Sequence, residues 1–506
     1  MPEYSQQMSV KKFNIETGKL VAILNEKDAK ELGLLPLERV MITNTATGKS
    51  LNCVVDISSS VVREDEVGLF DEVAKALNVR DLSKVSVSAS KKPISINYIK
   101  KKMDKRSLNE AEIREIVSDI SSNRLSEIET AAFVSAVYIN GLDLDETAFM
   151  TKALIDDGNT LDFGDAIVVD KHSIGGTNGR STMVIVPIIA AAGLIIPKTS
   201  SRSITSAAGT ADAVEVLAPV SLSLDRIMEI TKKTGGVMAW GGAVDLAPAD
   251  DKIIKIEHPL SLDPEGQVIA SVMAKKASVG AKYVVIDIPI GPDVKVKTRE
   301  QGESMALKFI EVGKKIGMKV EVVLTNGNEP SGMAFGPALE AKYALEVLEG
   351  KFFDNLAQKS CELAGTLLEL CGAERKMQGY ARARKILESG KARDKFQEII
   401  RAQGGTIMKS SDIKLAAMKT VVYSKVTGEI SKVNVRNCIN LARIAGAPAD
   451  KMAGIMLLVH EGKVVREGEP LLEIYAENRR KLELAAEYSA ATEIVEMQKI
   501  VLEKFG

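Results

Sequence analysis

The chain has 506 residues, and its 67 Lys and Arg against 68 Asp and Glu give a formal net charge of −1. This balance argues against a protein that binds bulk nucleic acid, because such proteins usually carry a basic surplus. Hydrophobic residues make up 45% of the chain and aromatic residues 4%, so we expect an ordered protein with an aliphatic core and few rings for stacking bases. At roughly 100–200 residues per domain, the length predicts three or four domains.

The sequence shows no pattern typical of metal sites, disulfides or membrane spans. The three histidines, His172, His258 and His460, lie far apart, so we expect no metal. The four cysteines have no C-x-x-C spacing, which predicts buried thiols in a reducing compartment. The longest apolar run, 183–197, is shorter than the ~20 residues of a membrane helix, and the polar start carries no signal core. We therefore expect a soluble, cytoplasmic protein.

Residues 1–92 predict a β-rich domain with short helices. Strand patterns lie at 20–24, 40–42 and 51–55, helical patterns lie at 29–32 and 70–77, and a linker follows at 88–93. No internal repeat is predicted. Residues 96–163 predict a helical subdomain, with a cap signal at Ser107 and helical spacing of apolar residues over 108–120, 127–140 and 145–155.

Residues 164–412 predict an α/β domain with a mostly parallel sheet. Largely apolar strand patterns at 166–169, 194–197, 281–286 and 318–324 alternate with helical patterns, as in sheets covered on both faces. A helical interval at about 240–280 interrupts this domain, and the sequence leaves open whether it packs with the first helical block. Residues 413–506 predict an α+β domain with strands at 419–435, 454–460 and 470–475 and one helix at 438–444.

The segment 170–182, D-K-H-S-I-G-G-T-N-G-R-S-T, lies between a strand pattern and an apolar helical pattern. A glycine-rich loop in this position brings backbone N–H groups together at a helix N-terminus, where an anion is favoured. The segment is neither a P-loop nor a G-x-G-x-x-G fingerprint, and a turn without a ligand is the alternative. The neighbouring Lys171, His172 and Ser173 favour an anion site.

The segment 198–210, K-T-S-S-R-S-I-T-S-A-A-G-T, is rich in hydroxyls and also follows a strand pattern. Arg202 offers a planar fork that matches two phosphate oxygens, while a flexible Ser/Thr loop is the alternative interpretation. Two anion loops in one domain suggest that two phosphate groups are bound at once. No carboxylate pair suited to Mg²⁺ lies beside them, which favours chemistry at carbon.

The segment 257–276 contains Asp263-Pro264, which has the form of a helix N-cap followed by proline at the first helical position. Ser271 and Lys275 fall four residues apart and therefore share one helical face. From spacing alone, a purely structural cap is the simpler interpretation of Asp263.

These three segments resemble the pyrimidine-nucleoside phosphorylase family, over about residues 96–506. The matching motifs are K-H-S-x-G-G at 171–176, the loop ending in Gly209-Thr210, A-S-x-M-x-K-K at 270–276 and G-E-P-L-L-x-I-Y-A at 468–476. The family cleaves nucleosides with inorganic phosphate to give a free base and a sugar 1-phosphate. The resemblance implies that Lys171, Ser173, Ser200 and Thr210 hold phosphate, with Ser181 or Thr182 as a further candidate. It also implies that Ser271 and Lys275 face the base.

At several positions the sequence departs from that family and instead resembles the archaeal AMP phosphorylases, which act on nucleoside 5′-monophosphates. The stretch 257–260 lacks the arginine that holds a pyrimidine carbonyl, hydroxyls replace glycines in the second loop, the loop 290–295 differs, and an N-terminal domain is added. The fold class implied is α/β, with a helical subdomain, a mostly parallel-sheet α/β domain, an extra N-terminal β-barrel-like domain and a C-terminal α+β domain.

This second resemblance implies a nucleotide-binding set and a proton donor. The nucleotide residues would be Gly175, Ser201, Arg202, Ser203, Ile204, Thr205, Ser206, Thr210, Ser271 and Lys295. Asp263 would protonate the departing base, and such an acid must be kept protonated by burial or be re-protonated through water. His172 and Lys275 would support these groups, and the domains would close over the substrates.

We expect AMP, CMP or UMP and inorganic phosphate as substrates, no cofactor, no nucleic-acid or membrane partner, and a homodimer or larger homo-oligomer. Three alternatives stay open. The first is a nucleoside phosphorylase, which shares everything but the 5′-phosphate site. The second is an anthranilate phosphoribosyltransferase-like enzyme, which would need Mg²⁺-bound pyrophosphate. The third is a binding protein, which would release no base.

Overall fold

A computed structural model describes residues 4–175, 179–203 and 206–498. The chain forms two compact units, one of Met1–Asp157 with Pro248–Val268 and one of Gly158–Ala247 with Ile269–Gly506. The sequence left open where the interval at about 240–280 packs, and the contacts group residues 248–268 with the helical block. Among the described helices, none has the length and hydropathy that crossing a membrane requires. All four cysteines are buried thiols, as predicted.

The N-terminal part of the first unit is a closed barrel, which confirms the predicted barrel-like domain. Its strands follow the order β1-β5-β2-β4-β3-β6. Inward and outward side chains alternate along β3 and β6, so that the β-branched residues fill the barrel. The elements are β1 (Ser5–Lys12), β2 (Val21–Asn25), α1 (Glu26–Glu31), β3 (Arg39–Asn44), β4 (Ser50–Ser58), β5 (Glu66–Leu69), α2 (Asp71–Leu77) and β6 (Lys84–Ala89).

The barrel contains an internal repeat that the sequence analysis missed. Strand, helix, turn and strand recur 45 residues apart, so that buried Leu24 and Val40 correspond to buried Leu69 and Val85. Each helix is followed by a residue with positive φ, which is Gly33 in the first half and an asparagine in the second. The prediction of no repeat was wrong because the halves share apolar character and backbone conformation more than residue identities.

The rest of the first unit is helical, as predicted. Its helices are α3 (Ser95–Met103), α4 (Glu110–Ser121), α5 (Glu127–Asn140), α6 (Leu144–Asp157) and, later in the chain, α10 (Pro248–Leu260). The cap of α4 is Asn109, which forms a reciprocal capping box with Glu112, and the cap signal assigned to Ser107 was therefore wrong by two residues. Lys102 and Glu146 form a buried ion pair, with 2.6 Å between Nζ and Oε1.

The second unit is built on five parallel strands. They are β7 (Val169–Ser173), β8 (Ile196–Ser200), β9 (Gly236–Trp240), β10 (Tyr283–Ile290) and β11 (Lys319–Asn326). The strands form sheets of order β11-β10-β7 and β8-β9, and a parallel bridge between Val168 and Ile195 joins them. Nine helices and one short strand accompany them within the described residues: α7 (Gly179–Ala191), α8 (Thr210–Glu215), α9 (Leu224–Thr234), α11 (Glu265–Ser278), α12 (Arg299–Lys315), β12 (Ala334–Phe335), α13 (Pro337–Leu348), α14 (Asn355–Leu370), α15 (Gly379–Glu388) and α16 (Lys391–Ala402).

Two strands lie later in the chain than predicted. The strand expected at 166–169 spans 169–173, and the one expected at 194–197 spans 196–200. Polar side chains such as those of Lys171 and Lys198 therefore belong to strands and not to the loops that follow. Polar residues lie in these buried strands because they bond to one another, which a prediction based on hydropathy alone cannot anticipate.

The C-terminal part of the second unit is α+β, as predicted. Its elements are β13 (Met418–Tyr423), β14 (Gly428–Val433), α17 (Val435–Ala445), β15 (Gly454–Leu457), β16 (Val464–Val465), β17 (Pro470–Ala476), α18 (Arg479–Ala491) and β18 (Val495–Gln498). Strand orders are β12-β15-β17-β13 and β16-β14-β18. The sequence predicted one helix in this region and missed α18, whose apolar stripe is short: Ala485 is buried, and Leu482 and Tyr488 pack half-buried against the core.

Candidate active site

The sheet of the second unit collects polar residues at one edge. The carboxyl ends of β7, β8 and β10 lie at Ser173, Ser200 and Ile290, and parallel strands bring these ends to the same side. Ligands of open α/β sheets bind at this edge, outside the carboxyl ends of the strands. Both segments singled out as anion loops begin within these strands and pass through this edge.

Lys171 places a buried ammonium at this edge. Its Nζ donates to Ser173 Oγ at 2.9 Å and to Ser181 Oγ, in the first turn of α7, at 3.2 Å. Burial lowers the pKa of Lys171 to about 8, although the nearby Asp287 carboxylate opposes the shift. An anionic ligand would compensate the positive charge of this buried ammonium, and the surrounding hydroxyls can bond to the ligand.

A three-residue ion network, Asp170 with Lys198 and Lys276, lies beneath Lys171. The Asp170 carboxylate is fully buried and lies 2.6 Å from Lys276 Nζ and 3.3 Å from Lys198 Nζ. It also accepts the backbone N–H of Lys171 at 2.7 Å. Burial opposes ionisation of Asp170, but the two ammonium groups hold its pKa below the ordinary value. Burial lowers the pKa of Lys198 well below its ordinary value, although the Asp170 carboxylate opposes the shift.

His172 lies beside these cations. Burial and the charges of Lys276 and Lys198 lower the pKa of its imidazole well below the ordinary value. The ring is therefore neutral at physiological pH and offers one donor and one acceptor nitrogen. A neutral ring can orient a polar group without adding to the positive charge.

Thr210 links the two anion segments. It begins α8, and its Oγ1 donates to the carbonyl of Gly179, the first residue of α7, at 3.1 Å. A Cβ on Gly179 would lie 3.3 Å from that hydroxyl, so a larger residue there would crowd the contact. Thr182, one turn further along α7, is buried. The structure thus brings Thr210 to the beginning of α7, where Ser181 bonds to Lys171.

Arg202, in the hydroxyl-rich loop, is bound by carboxylates that the sequence analysis missed. Its fork donates to Glu215 at 2.8 and 2.6 Å and to Asp212 at 3.3 Å, and its guanidinium lies 4.8 Å from the Trp240 ring centroid. The hydrogen bonds from Arg202 lower the pKa of Glu215 to about 2. Phosphate binding by Arg202 stays a prediction, and it would have to compete with this bidentate pair. Asp212 and Glu215 lie three apart on α8 and therefore share the helical face that contacts Arg202.

Asp212 also shapes the loop itself. Its Oδ2 accepts the backbone N–H groups of Ser203 at 2.7 Å and Gly209 at 2.9 Å. Ser203 Oγ donates to the carbonyl of Ser206 at 2.5 Å. Ser201 is exposed, whereas Ser200 and Ser206 are half-buried. Two of the predicted binding residues, Ile204 and Thr205, lie outside the described residues, as do Gly176 and Thr177 of the first segment.

Gly175 and Lys295, both predicted nucleotide residues, are in contact. Gly175 has a φ of +79°, and a Cβ built there would lie 3.0 Å from Lys295 Cγ. Glycine is therefore required for both its backbone conformation and the close approach of the lysine stem. Lys295 comes from the loop after β10, so the contact joins two strand ends of the sheet edge.

The remaining predicted residues lie on or before α11, which begins in the first unit and ends in the second. Ser271 and Lys275 are half-buried and share one helical face, as predicted, while the next residue, Lys276, points to Asp170. Asp263 belongs to the first unit and is exposed. The carbonyl that opens α11 is that of Pro264, which accepts from Val268 N at 2.9 Å.

Within the described part of the chain, no three His, Cys, Asp or Glu side chains are grouped as around a metal ion.

Comparisons with known proteins match the chain along nearly its whole length. Family models match residues 96–158 (glycosyl transferase family, helical bundle domain), 165–393 (glycosyl transferase family, a/b domain) and 430–495 (pyrimidine nucleoside phosphorylase C-terminal domain). AMP phosphorylase 1 of Archaeoglobus fulgidus is 47% identical over 494 residues, covering 97% of each chain. AMP phosphorylase of Pyrococcus horikoshii is 46% identical over 500 residues, covering 98% of this chain and 99% of the relative.

A solved structure shares the fold of the central part. Anthranilate phosphoribosyltransferase from Thermus thermophilus aligns with a TM-score of 0.53 and 20% identity, covering 61% of this chain and 99% of its own. At this identity the similarity shows the fold alone.

The ion network predicts a large effect of Asp170→Asn on stability. The substitution leaves the ammonium groups of Lys198 and Lys276 buried without a counter-charge, and breaking a buried pair in this way costs about 3–5 kcal/mol. We expect the free energy of unfolding in urea to fall by that amount, whereas the exposed Asp412→Asn should leave it nearly unchanged.

The double variant Asp170→Asn/Lys198→Met tests the cause. Removing one uncompensated cation should recover part of the lost stability, because the two positions interact directly. If Asp170→Asn unfolds at the same urea concentration as Asp412→Asn, the network does not carry the stability assigned to it.

Proposed function

The chain belongs to the AMP phosphorylase family, and on that premise we propose that it cleaves AMP with inorganic phosphate to adenine and ribose 1,5-bisphosphate. The observation that carries this proposal is the similarity to AMP phosphorylases over 97% of both chains. The sheet edge supports it independently, because the ammonium of Lys171 and two hydroxyl-bearing segments lie together there, and such groups bind phosphate.

We assign inorganic phosphate to Lys171, Ser173, Ser200 and Thr210. The buried ammonium of Lys171 supplies the charge, and the hydrogen bond from Thr210 to Gly179 keeps that hydroxyl at the N-terminus of α7. The helix N-terminus adds positive potential and backbone donors. Ser181, which accepts from Lys171, is the neighbouring hydroxyl that keeps the ammonium in place.

We assign the nucleotide to Gly175, the loop 201–206, Thr210, Ser271 and Lys295. The contact of Lys295 with Gly175 places a cation at the end of β7, next to the first anion segment. The Ser201 hydroxyl supplies a donor for a 5′-phosphate, whereas the hydroxyls of Ser203 and Ser206 would have to exchange their bonds within the loop to bind it. Asp212 keeps the loop backbone in a fixed conformation. Lys275 shares the helical face of Ser271 and supports base binding.

In the proposed reaction a phosphate oxygen attacks C1′ while the bond from C1′ to the base breaks. The electron pair of that bond goes to the base, and the proton that the base requires at N7 comes from Asp263. The flanking phosphates stabilise the positive charge that develops on the ribose. Because Asp263 is exposed, we propose that water, and not burial, supplies the proton that the carboxyl needs before each turnover. His172, neutral beside the phosphate residues, orients polar groups.

We further propose CMP and UMP as substrates, no cofactor, a cytoplasmic location, and a homodimer that forms part of a larger homo-oligomer. The product carries phosphates at positions 1 and 5 of ribose. An isomerase that converts such an aldose to the corresponding ketose, ribulose bisphosphate, is the class of enzyme that would consume it.

The first prediction concerns substrates. With phosphate present, we expect release of free base from AMP, CMP and UMP, and a kcat/KM lower by about 100-fold or more for adenosine, uridine and thymidine. Charge-assisted hydrogen bonds to the missing 5′-phosphate are worth about 1.5–3 kcal/mol each. Chromatography of the released bases measures both, with reactions lacking phosphate as the control. Efficient cleavage of nucleosides but not of AMP would identify a nucleoside phosphorylase instead, and binding of AMP without base release would identify a binding protein.

The second prediction concerns Asp263. Loss of a general acid lowers rates by about 100–10,000-fold, so Asp263→Asn should lower kcat by that factor with little change in the KM for phosphate. The exposed Asp104→Asn, in the same unit, should retain wild-type kcat. Full phosphorolysis by Asp263→Asn would remove this residue from the acid role.

The third prediction concerns pH. Because the pKa of Lys171 is lowered to about 8, the ammonium loses its proton, and with it the attraction for phosphate, as the pH rises through that value. We expect kcat/KM for phosphate to fall about tenfold per pH unit above pH ~8, since this parameter reports groups of the free enzyme.

Lys171→Arg separates this cation from other titrating groups. Arginine stays protonated throughout the range, so any residual activity of this variant should lack the descending limb. A wild-type profile that stays flat to pH 10, or the same limb in both proteins, would contradict the assignment.

A further inference from the structure

Asp287 is a fully buried carboxylate that lies directly opposite Ser173 in the parallel pairing of β10 with β7. Its Oδ2 lies 2.8 Å from Ser173 Oγ and 3.1 Å from Lys359 Nζ. Its Oδ1 lies 2.5 Å from the hydroxyl of Thr325, which also accepts from Lys359 at 2.9 Å. Neither the composition of the anion segments nor the resemblance singled out this carboxylate, because it is 114 residues from Ser173.

These distances fix where the proton of the Ser173 hydroxyl lies. The Asp287 carboxylate, ion-paired with Lys359, can only accept hydrogen bonds, so Ser173 must donate its one proton to it. The ammonium of Lys171 has no lone pair and therefore donates to Ser173 Oγ, at 2.9 Å. One lone pair of Ser173 then remains, and toward a further partner this hydroxyl is an acceptor.

Most of the other groups assigned to phosphate donate. The ammonium of Lys171 and the backbone N–H groups at the N-terminus of α7 are donors, and the Ser200 hydroxyl carries a proton of its own, whereas Thr210 gives its proton to the carbonyl of Gly179. Donors alone bind any tetrahedral dianion of the right size. An acceptor among them distinguishes an anion that carries a proton from one that does not, because a lone pair directed at an unprotonated oxygen is repulsive.

We propose that Asp287 is a specificity-determining positioning residue that makes Ser173 accept a hydrogen bond from the P–OH group of hydrogen phosphate. The proposal rests on the phosphate site proposed above. Hydrogen phosphate and hydrogen arsenate carry such a group at neutral pH, whereas sulfate, of similar size and charge, carries no proton. Holding the P–OH at Ser173 also leaves the unprotonated oxygens of phosphate for Lys171 and for attack on C1′.

The test compares three anions on the intact enzyme with AMP as the second substrate. For wild type we expect arsenate to replace phosphate with a similar KM, and sulfate to inhibit competitively with a Ki at least about tenfold above the phosphate KM, the factor that one hydrogen bond supplies. In Asp287→Asn the amide donates to Ser173 Oγ and frees the hydroxyl proton to point at the anion. The ratio of sulfate Ki to phosphate KM should then fall about tenfold.

Two more variants keep the test decisive. Ser173→Ala, needed if Asp287→Asn does not fold, should raise the phosphate KM about tenfold without raising the sulfate Ki. Thr325→Val is the matched control, because it removes a different donor from the same carboxylate and should leave the anion ratio unchanged.

The outcomes separate this proposal from the one on which it rests. A wild-type ratio near one, or equal shifts of phosphate and sulfate in Asp287→Asn and Ser173→Ala, would overturn the role of Asp287. Absence of base release from AMP with any anion would instead overturn the proposed function.

Discussion

The carboxylate of Asp170, held between the ammonium groups of Lys198 and Lys276, is the interaction on which the candidate site depends. It compensates buried positive charge at the centre of a parallel sheet, and it accepts the backbone N–H of Lys171. Buried cations are costly without such compensation. With it, β7 and β8 can carry lysines where hydrophobic residues would otherwise be expected. The strands therefore end in a cationic edge, and the contacts of Asp170 hold the lysines of this edge in place.

The same principle recurs on the other side of β7, where Asp287 on β10 bonds to Ser173 and Lys359. Asp170 lies on β7 next to Lys171, and Asp287 lies on the neighbouring strand β10. One compensates charge and the other fixes the proton of a hydroxyl, so that the site combines a net positive potential with a defined pattern of donors and an acceptor. Rigid strands hold both patterns in place before any ligand binds, which is the arrangement that electrostatic catalysis requires.

Sequence patterns predicted the parts of this site that are local. Glycine and hydroxyl content indicated the segments at 170–182 and 198–210, and the four-residue spacing of Ser271 and Lys275 placed them on one face of α11. The partner of Asp170 could not be predicted in this way, because Lys276 lies 106 residues from it and pairs with it only through the tertiary fold. The strands at 169–173 and 196–200 were predicted too early in the chain for the same reason. Their polar residues are buried only because they pair with distant residues, and hydropathy does not show this. Arg202 and Glu215 are only 13 residues apart, but Arg202 lies in a loop outside α8, so helical spacing does not indicate their pair.

Phosphorolysis of a nucleotide requires that an oxygen of inorganic phosphate form the new bond to C1′. This is tested by phosphorus NMR of the products formed from AMP and phosphate labelled with ¹⁸O. We expect ribose 1,5-bisphosphate in which the oxygen that bridges C1 and phosphorus carries the label, with free adenine in equal amount. Ribose 5-phosphate, or a 1-phosphate product without label at the bridging oxygen, would contradict this expectation.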